Sequence, residues 1–178
     1  MFAALTLTLL LNTLYLQHTR GWTPLTAGLA TLPMAFGATV CAPLSGNLTG
    51  RFGPRRPLLL AGVFIAAGGI ILVSLGRDTS VALLLLAYLL IGTGFGFANA
   101  PITNTAVTGL PPARAGVAGA ITSTARQVGS AIGIAIAGGL AAGIPADRLA
   151  QASHPGWLMV TACGIFLFAA ARTVGPAA

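Results

Sequence analysis

An all-α membrane protein with six transmembrane helices is the fold class the sequence predicts, and three observations predict it. First, 56% of the 178 residues are hydrophobic and 6% are charged, with a mean hydropathy of +0.90, whereas a soluble domain of this size is about a quarter charged. Second, apolar runs recur at lengths near the roughly twenty residues a bilayer crossing needs. Third, the basic stretch Gly46-Asn47-Leu48-Thr49-Gly50-Arg51-Phe52-Gly53-Pro54-Arg55-Arg56-Pro57 separates two uncharged runs, residues 21–50 and 57–76. Two spans joined by a tight cationic loop read this way, because arginines prefer phosphate headgroups to hydrocarbon.

Composition also excludes function classes. The net charge of +7 and pI near 11.5 would point to nucleic acid in a hydrophilic chain, but that partner needs a solvated basic face with interleaved polar residues. Here the arginines mark the ends of apolar runs, so membrane lipid is the expected partner and nucleic acid is not. Cys41 and Cys163 fall inside apolar runs with no CxxC and no histidine at metal-ligand spacing, so no metal and no cofactor are expected. No hydrolytic triad or carboxylate pair can be assembled, and an enzyme is not expected.

The six spans follow in order as one domain over residues 1–178. The first, 1–17, is an apolar stretch lacking the basic n-region of a signal peptide, and its abrupt start leads us to expect further sequence upstream. Thr23-Pro24 reads as an N-cap followed by proline at the first helical position, opening the second span, 24–46, inside which Pro33 and Pro43 each remove a backbone hydrogen bond. The third runs over 57–75 and ends at Gly76-Arg77-Asp78. The fourth covers 80–105, with Pro101 inside it, and Pro111-Pro112-Ala113-Arg114 closes it. The fifth, 116–143, is long and contains Arg126 and Gln127. A connection holding Asp147, Arg148 and His154 leads to the sixth, 155–171.

Orientation follows from arginine placement. With the N-terminus in the cytoplasm, the inner side holds Arg51, Arg55, Arg56, Arg114 and Arg172, and the outer side holds Arg20, Arg77 and Arg148. The cluster of three lies in a short loop, where the positive-inside rule acts most strongly. Both termini are expected to be cytoplasmic.

Several motifs have both a plain structural reading and a functional one. Gly92-x-Gly94-x-Gly96 lacks the flanking strand and acidic residue of a dinucleotide fingerprint; Gly92 and Gly96, four apart, instead clear one helix face for close packing. Ala125, Gly129, Gly133, Ala137 and Ala141 make a longer small-residue stripe, with Gly139 and Gly143 adding a second, offset ridge, and it serves either static packing or a sliding surface. Arg126, about ten residues into its span, either snorkels to the headgroups or pairs with an acid from another segment or chain. Asn12, Tyr15, Asn99, Asn104 and Gln127 are polar groups inside spans that serve as interhelical hydrogen-bonding groups or as lining of a cavity for a bulky, hydrophobic small-molecule substrate.

The segments Leu14-Tyr15-Leu16-Gln17, Gly21-Trp22-Thr23-Pro24-Leu25-Thr26-Ala27-Gly28-Leu29 and Leu32-Pro33 resemble the opening of the C-terminal half of fourteen-helix drug/proton antiporters of the major facilitator superfamily. The stretch Gly46 to Arg56 resembles that superfamily's glycine-and-arginine loop, and Gly116 through Arg126-Gln127-Val128-Gly129 to Gly133 resembles the branch's penultimate helix. The resemblance covers nearly the whole chain. It implies a C-terminal six-helix bundle, one half of a transporter in a bacterial plasma membrane that exports drugs or metabolites by alternating access. It implies that Gly46, Arg51, Gly53, Arg55 and Arg56 form a cytoplasmic conformational latch, although Gly50 stands where the family's loop usually has an acid. It further implies a partner, either an N-terminal half that supplies proton coupling or a second copy of the chain. A non-transporting remnant or membrane assembly module, docking through its small-residue stripes, is the competing expectation.

Overall fold

The computed structural model describes residues 1–76, 79–107, 115–145 and 148–173. Expectations that fall on Arg77, Asp78, residues 111–114 and Asp147 lie outside the described residues. Elsewhere the chain is helical: α1 (Phe2–Leu14) runs on through a π-helical turn at Tyr15–Thr19, followed by α2 (Pro24–Ala30), α3 (Leu32–Phe52), α4 (Arg55–Val73), α5 (Val81–Val107), α6 (Ala115–Ala141), α7 (Leu149–Ala152) and α8 (His154–Thr173). These make six long rods, with α2 and α3 sharing the second. Four, at Pro24–Phe52, Arg55–Val73, Val81–Asn104 and Leu149–Thr173, are long and apolar enough to cross a bilayer. The six-span expectation is thus met in helix number but in only four rods by apolarity. The first rod is divided by its π-helical turn, and Arg126 and Gln127 interrupt the fifth.

Local chemistry explains most helix ends. Thr23 Oγ1 accepts a hydrogen bond from the Thr26 amide at 3.3 Å, and Pro24 occupies the first turn of α2, as capping chemistry requires. Pro33 does not kink the middle of a span. It stands in the first turn of α3, just after a break at Thr31, because proline removes its own N–H and crowds the carbonyl four residues back.

The second span does not stop at Gly46, the end expected from sequence. Residues Gly46 to Phe52 are helical, and the connection to α4 is only Gly53-Pro54. A glycine in a helix costs about 1 kcal/mol, less than leaving backbone groups unsatisfied in lipid. Gly53 ends α3 with φ 76°, a conformation open to glycine.

Packing follows a simple scheme: α3 lies on α5, α5 on α4, α4 on α8, and α1 on α6 with a smaller contact to α8. Exchanging rods one, two and three for four, five and six maps this set of neighbours onto itself. Since three is odd and successive rods alternate in direction, the second triplet is inverted relative to the first, the arrangement of an inverted repeat. The core holds Leu7, Leu11, Tyr15 and Leu16 of the first rod, Ile65 and Leu72 of α4, Leu84, Tyr88 and Ile91 of α5, and Trp157 and Val160 of α8. Leu25, Phe36 and Phe166 are 74%, 67% and 73% exposed, an outer surface suited to lipid or to another protein face.

The crossings are set by residues lacking bulk. A side chain at Gly92 would run into the Met34 carbonyl, one at Gly96 would meet the Ala38 carbonyl oxygen at 2.8 Å, and one at Gly37 would meet the Thr93 amide nitrogen at 2.8 Å. So α3 and α5 touch backbone to backbone. Gly62 and Gly164 do the same for α4 and α8, and Gly133 does so against Ala3 and Thr6 of α1.

Pro101 lies inside α5 and has no N–H to donate to the Phe97 carbonyl four residues back. Ser45 of α3, fully buried, donates its hydroxyl to that carbonyl at 2.7 Å. Ser45→Ala should therefore destabilise the detergent-solubilised chain by about 1–3 kcal/mol, the usual penalty for orphaning a buried polar group. In a Pro101→Ala background, where the helix supplies its own donor, the same change should have less than about half that effect. Thermal melts of the four proteins of this cycle give the answer, and equal effects in both backgrounds would break the link.

Candidate functional site

The residues singled out from sequence fall into three places. At one end of the bundle lies the basic turn. Arg51 is in the last turn of α3, where its charge complements the helix dipole. Arg56, exposed, sits over the Phe52 ring with its guanidinium carbon 4.3 Å from the ring centre, a cation–π contact. Arg55 has its Nε buried without a hydrogen-bond partner. Gly46 faces open space on α3, and the turn itself is Gly53.

At the opposite end a polar tie joins the first rod to the connection between α4 and α5. Tyr15 donates its hydroxyl to the Gly76 carbonyl at 2.7 Å and accepts from Arg20 Nε at 3.0 Å. Arg20 also donates to the Thr79 carbonyl, while Thr79 Oγ1 accepts from the Gly76 amide at 2.8 Å. His154 Nε2 lies 3.2 Å from the Leu75 carbonyl oxygen. Sequence reading missed this cluster. Its one signal was that Tyr15 and Arg20 are five apart, the spacing a π-helical turn brings together, as the Arg20 amide bonding the Tyr15 carbonyl at 3.2 Å attests.

The third place is the side of the bundle around Arg126 of α6. A cleft of about 330 Å³ there lies between α1, α5, α6 and α8 and is lined by Phe2, Ile102, Thr122, Arg126, Cys163 and Phe166 among others. A second, of about 180 Å³, shares Met1, Phe2 and Arg126 with it and adds Phe95 and Asn99. Arg126, half-buried, places its guanidinium carbon 4.5 Å from the centre of the Phe2 ring, and its Nε is enclosed without a hydrogen-bond partner. It is the twelfth residue of α6, about 17 Å along the helix axis at 1.5 Å per residue. A further cleft of about 490 Å³, toward the basic end, is lined by Gly46, Thr49, Ala100, Thr103 and Asn104.

The cavity expectation therefore divides. Asn99 and Asn104 line clefts. Asn12 and Tyr15 do not, because each is 1% exposed inside the core, where packing on α1 encloses them. The Asn12 amide is buried with neither its nitrogen nor its oxygen bonded. Gln127 is exposed on α6, away from these three clefts. The small-residue stripes are occupied in part: Gly92 and Gly96 by α3, Gly133 by α1, and Gly129 by ordinary contact with Phe2 at 3.4 Å, whereas Ala125 is exposed and Gly139 and Gly143 face open space.

The profile of the Major Facilitator Superfamily matches residues 1–134. The Multidrug resistance protein Stp of Mycobacterium tuberculosis is 40% identical over 134 residues, which are 75% of this chain and 25% of that protein. The Tetracenomycin C resistance and export protein of Streptomyces glaucescens is 33% identical over 147 residues, 80% of this chain and 27% of that protein. The Puromycin resistance protein pur8 of Streptomyces alboniger is 36% identical over 143 residues, 78% of this chain and 28% of that protein. The chain thus spans about a quarter of the length of these relatives.

The Tyr15 tie is testable by itself. Tyr15→Phe removes the donor to Gly76 and an acceptor of Arg20, so amide exchange at Gly76 and Thr79 should rise several-fold, as expected from loss of about 1 kcal/mol of local stability. Exchange at Gly53, at the far end, should not change. Hydrogen-exchange mass spectrometry reads both, and a uniform rise along the chain would show that Tyr15 supports the whole core rather than this connection.

Proposed function

The chain belongs to the major facilitator superfamily, whose members are integral membrane transporters and not enzymes, and from that premise we propose that it forms the C-terminal six-helix half of an exporter of hydrophobic drugs or metabolites. The observation that carries the reading is the match, over three quarters of the chain, to a bacterial multidrug resistance protein, with a second relative named for resistance and export. In this reading all six rods cross the bilayer, α6 with Arg126 and Gln127 facing protein. The side bearing the two Arg126 clefts faces a partner half across a central cavity. Parallel halves of this kind bind substrate near the midplane and alternate access by rocking against one another.

Several features support the arrangement. The neighbour scheme is that of an inverted three-plus-three repeat. The smaller Arg126 cleft opens on α1, α3, α5 and α6, one helix pair from each triplet, while the larger is walled on one side by α8. The described membrane interior supplies no carboxylate to carry a proton, so coupling is assigned to an N-terminal half. In this reading the basic turn, with Gly46, Arg51, Gly53, Arg55 and Arg56, faces the cytoplasm and latches the inward and outward states. The assembly-module reading keeps part of its motive, because Gly92, Gly96 and Gly133 are packed within the chain while Gly138 and Gly139 of α6 face open space.

Two experiments test this. In proteoliposomes, the chain alone should show no accumulation of ethidium above empty vesicles under an imposed pH gradient, and co-reconstitution with the complementary N-terminal half of a relative should restore it. Coupled transport by the chain alone would overturn the dependence on a partner. For orientation, Asn47→Cys in a background lacking Cys41 and Cys163 should resist an impermeant maleimide added to intact cells and react once the cells are opened. Labelling from outside would invert the assignment.

A further inference from the structure

We propose that Arg126 and the adjoining clefts form a recognition site for an amphipathic organic anion, a molecule with an apolar body and one carboxylate-type group. The proposal deepens the transporter reading and rests on its placement of these clefts toward substrate.

The argument begins with the charge. A cation this far along a membrane helix is unfavourable unless something compensates it. Here the compensation is incomplete: the Phe2 ring takes the guanidinium face at 4.5 Å, but Nε is enclosed with no hydrogen-bond partner. Among the described residues, no carboxylate lines either cleft. Stacking on an aromatic ring leaves a guanidinium's in-plane N–H fork for an anion, and that fork matches a carboxylate bidentately.

The walls define the rest of the ligand. Phe2, Ile102, Phe166 and Leu167 supply apolar surface, and the Thr122 hydroxyl already donates to the Ala118 carbonyl at 2.8 Å. The cleft of about 330 Å³, with its neighbour of about 180 Å³, falls at the lower end of the size range of small-molecule sites. A neutral ligand would fill the walls and leave the Nε–H unmet; a hydrophilic anion would meet the charge and waste the walls. A hydrophobic acid satisfies both, and in a low-dielectric site its charge-assisted bonds are strong.

The test uses the full chain in phosphatidylcholine nanodiscs, with empty discs subtracted, and two probes of nearly equal size: 1-pyrenebutyrate and its methyl ester. The acid should bind about 10- to 100-fold more tightly than the ester, the range expected of a charge-assisted hydrogen bond. Arg126→Gln should bring the two within about three-fold, while Arg126→Lys, which keeps the charge but loses the fork, should retain part of the preference. Arg148→Gln, an exposed arginine at the start of α7, should retain all of it. Circular dichroism melts establish that the variants fold, and the Lys variant carries the test if the Gln variant does not.

Equal binding of acid and ester, a preference surviving Arg126→Gln, or one lost in Arg148→Gln would each overturn the proposal, the last by tracing it to surface charge. Binding of both probes alike leaves the cleft as a site and removes only the anion assignment; binding of neither removes the substrate-facing reading as well. Adding phosphatidylglycerol separates two sources of the anion. Competition confined to the Arg126 protein assigns the same site to a lipid phosphate, whereas undisturbed binding assigns it to free hydrophobic acids.

Discussion

Helices in lipid gain little by turning apolar side chains toward one another, because hydrocarbon is as good a neighbour as leucine. Cohesion must come from contacts that lipid tails cannot make. In this chain those contacts are backbone against backbone, at Gly37, Gly92 and Gly96 between α3 and α5, at Gly62 and Gly164 between α4 and α8, and at Gly133 against α1. Dispersion attraction fades steeply with a gap of even an ångström, so the glycines set how closely the rods approach and thereby how firmly they hold. The larger side chains of the core, Trp157, Tyr88 and Leu11, fill the spaces between these crossings.

The same solvent makes every backbone hydrogen bond expensive to lose. That rule explains both what the sequence made legible and what it hid. Apolar run lengths revealed the rods, and Thr23-Pro24 revealed a helix start, because those features act locally. The end of α3 lies six residues beyond the expected boundary at residue 46, because a glycine that would favour ending a helix in water stays helical in lipid. In lipid, the penalty for a glycine in a helix is smaller than that for an exposed carbonyl, so Gly46 and Gly50 stay helical until Gly53 offers an exit. Pro101 could be read as a bend, but its remedy, a serine hydroxyl from 56 residues earlier, is a tertiary fact that no local pattern contains.

Polar residues within spans were legible as a set and not as individuals. Asn12, Tyr15, Asn99, Asn104 and Gln127 carry the same local signal, an amide or phenol among apolar neighbours. Their fates differ because rotation about the helix axis decides them. At 100° per residue, an error of one position moves a side chain from core to cavity. Tyr15, still in register with α1 through its amide bond to the Leu11 carbonyl, ends in a tie to Gly76 and not in a cleft, and the π-helical turn that follows brings Arg20 to it. Arg126 was identifiable as unusual from its depth alone, but its aromatic partner on α1 was not.

The junction between α3 and α4 carries a mechanical implication. Only Gly53 and Pro54 separate the two helices, and both lean chiefly on α5 and α8 instead of on each other. So short a strap keeps the near ends together while leaving angle as the free coordinate. With α3 at 21 residues, or about 32 Å, a pivot of about 10° at the strap sweeps the distal tip by roughly 5 Å, about the pitch of one helical turn. Small torsional adjustments at one glycine are thereby geared into displacements as large as those that open and shut a passage across a membrane.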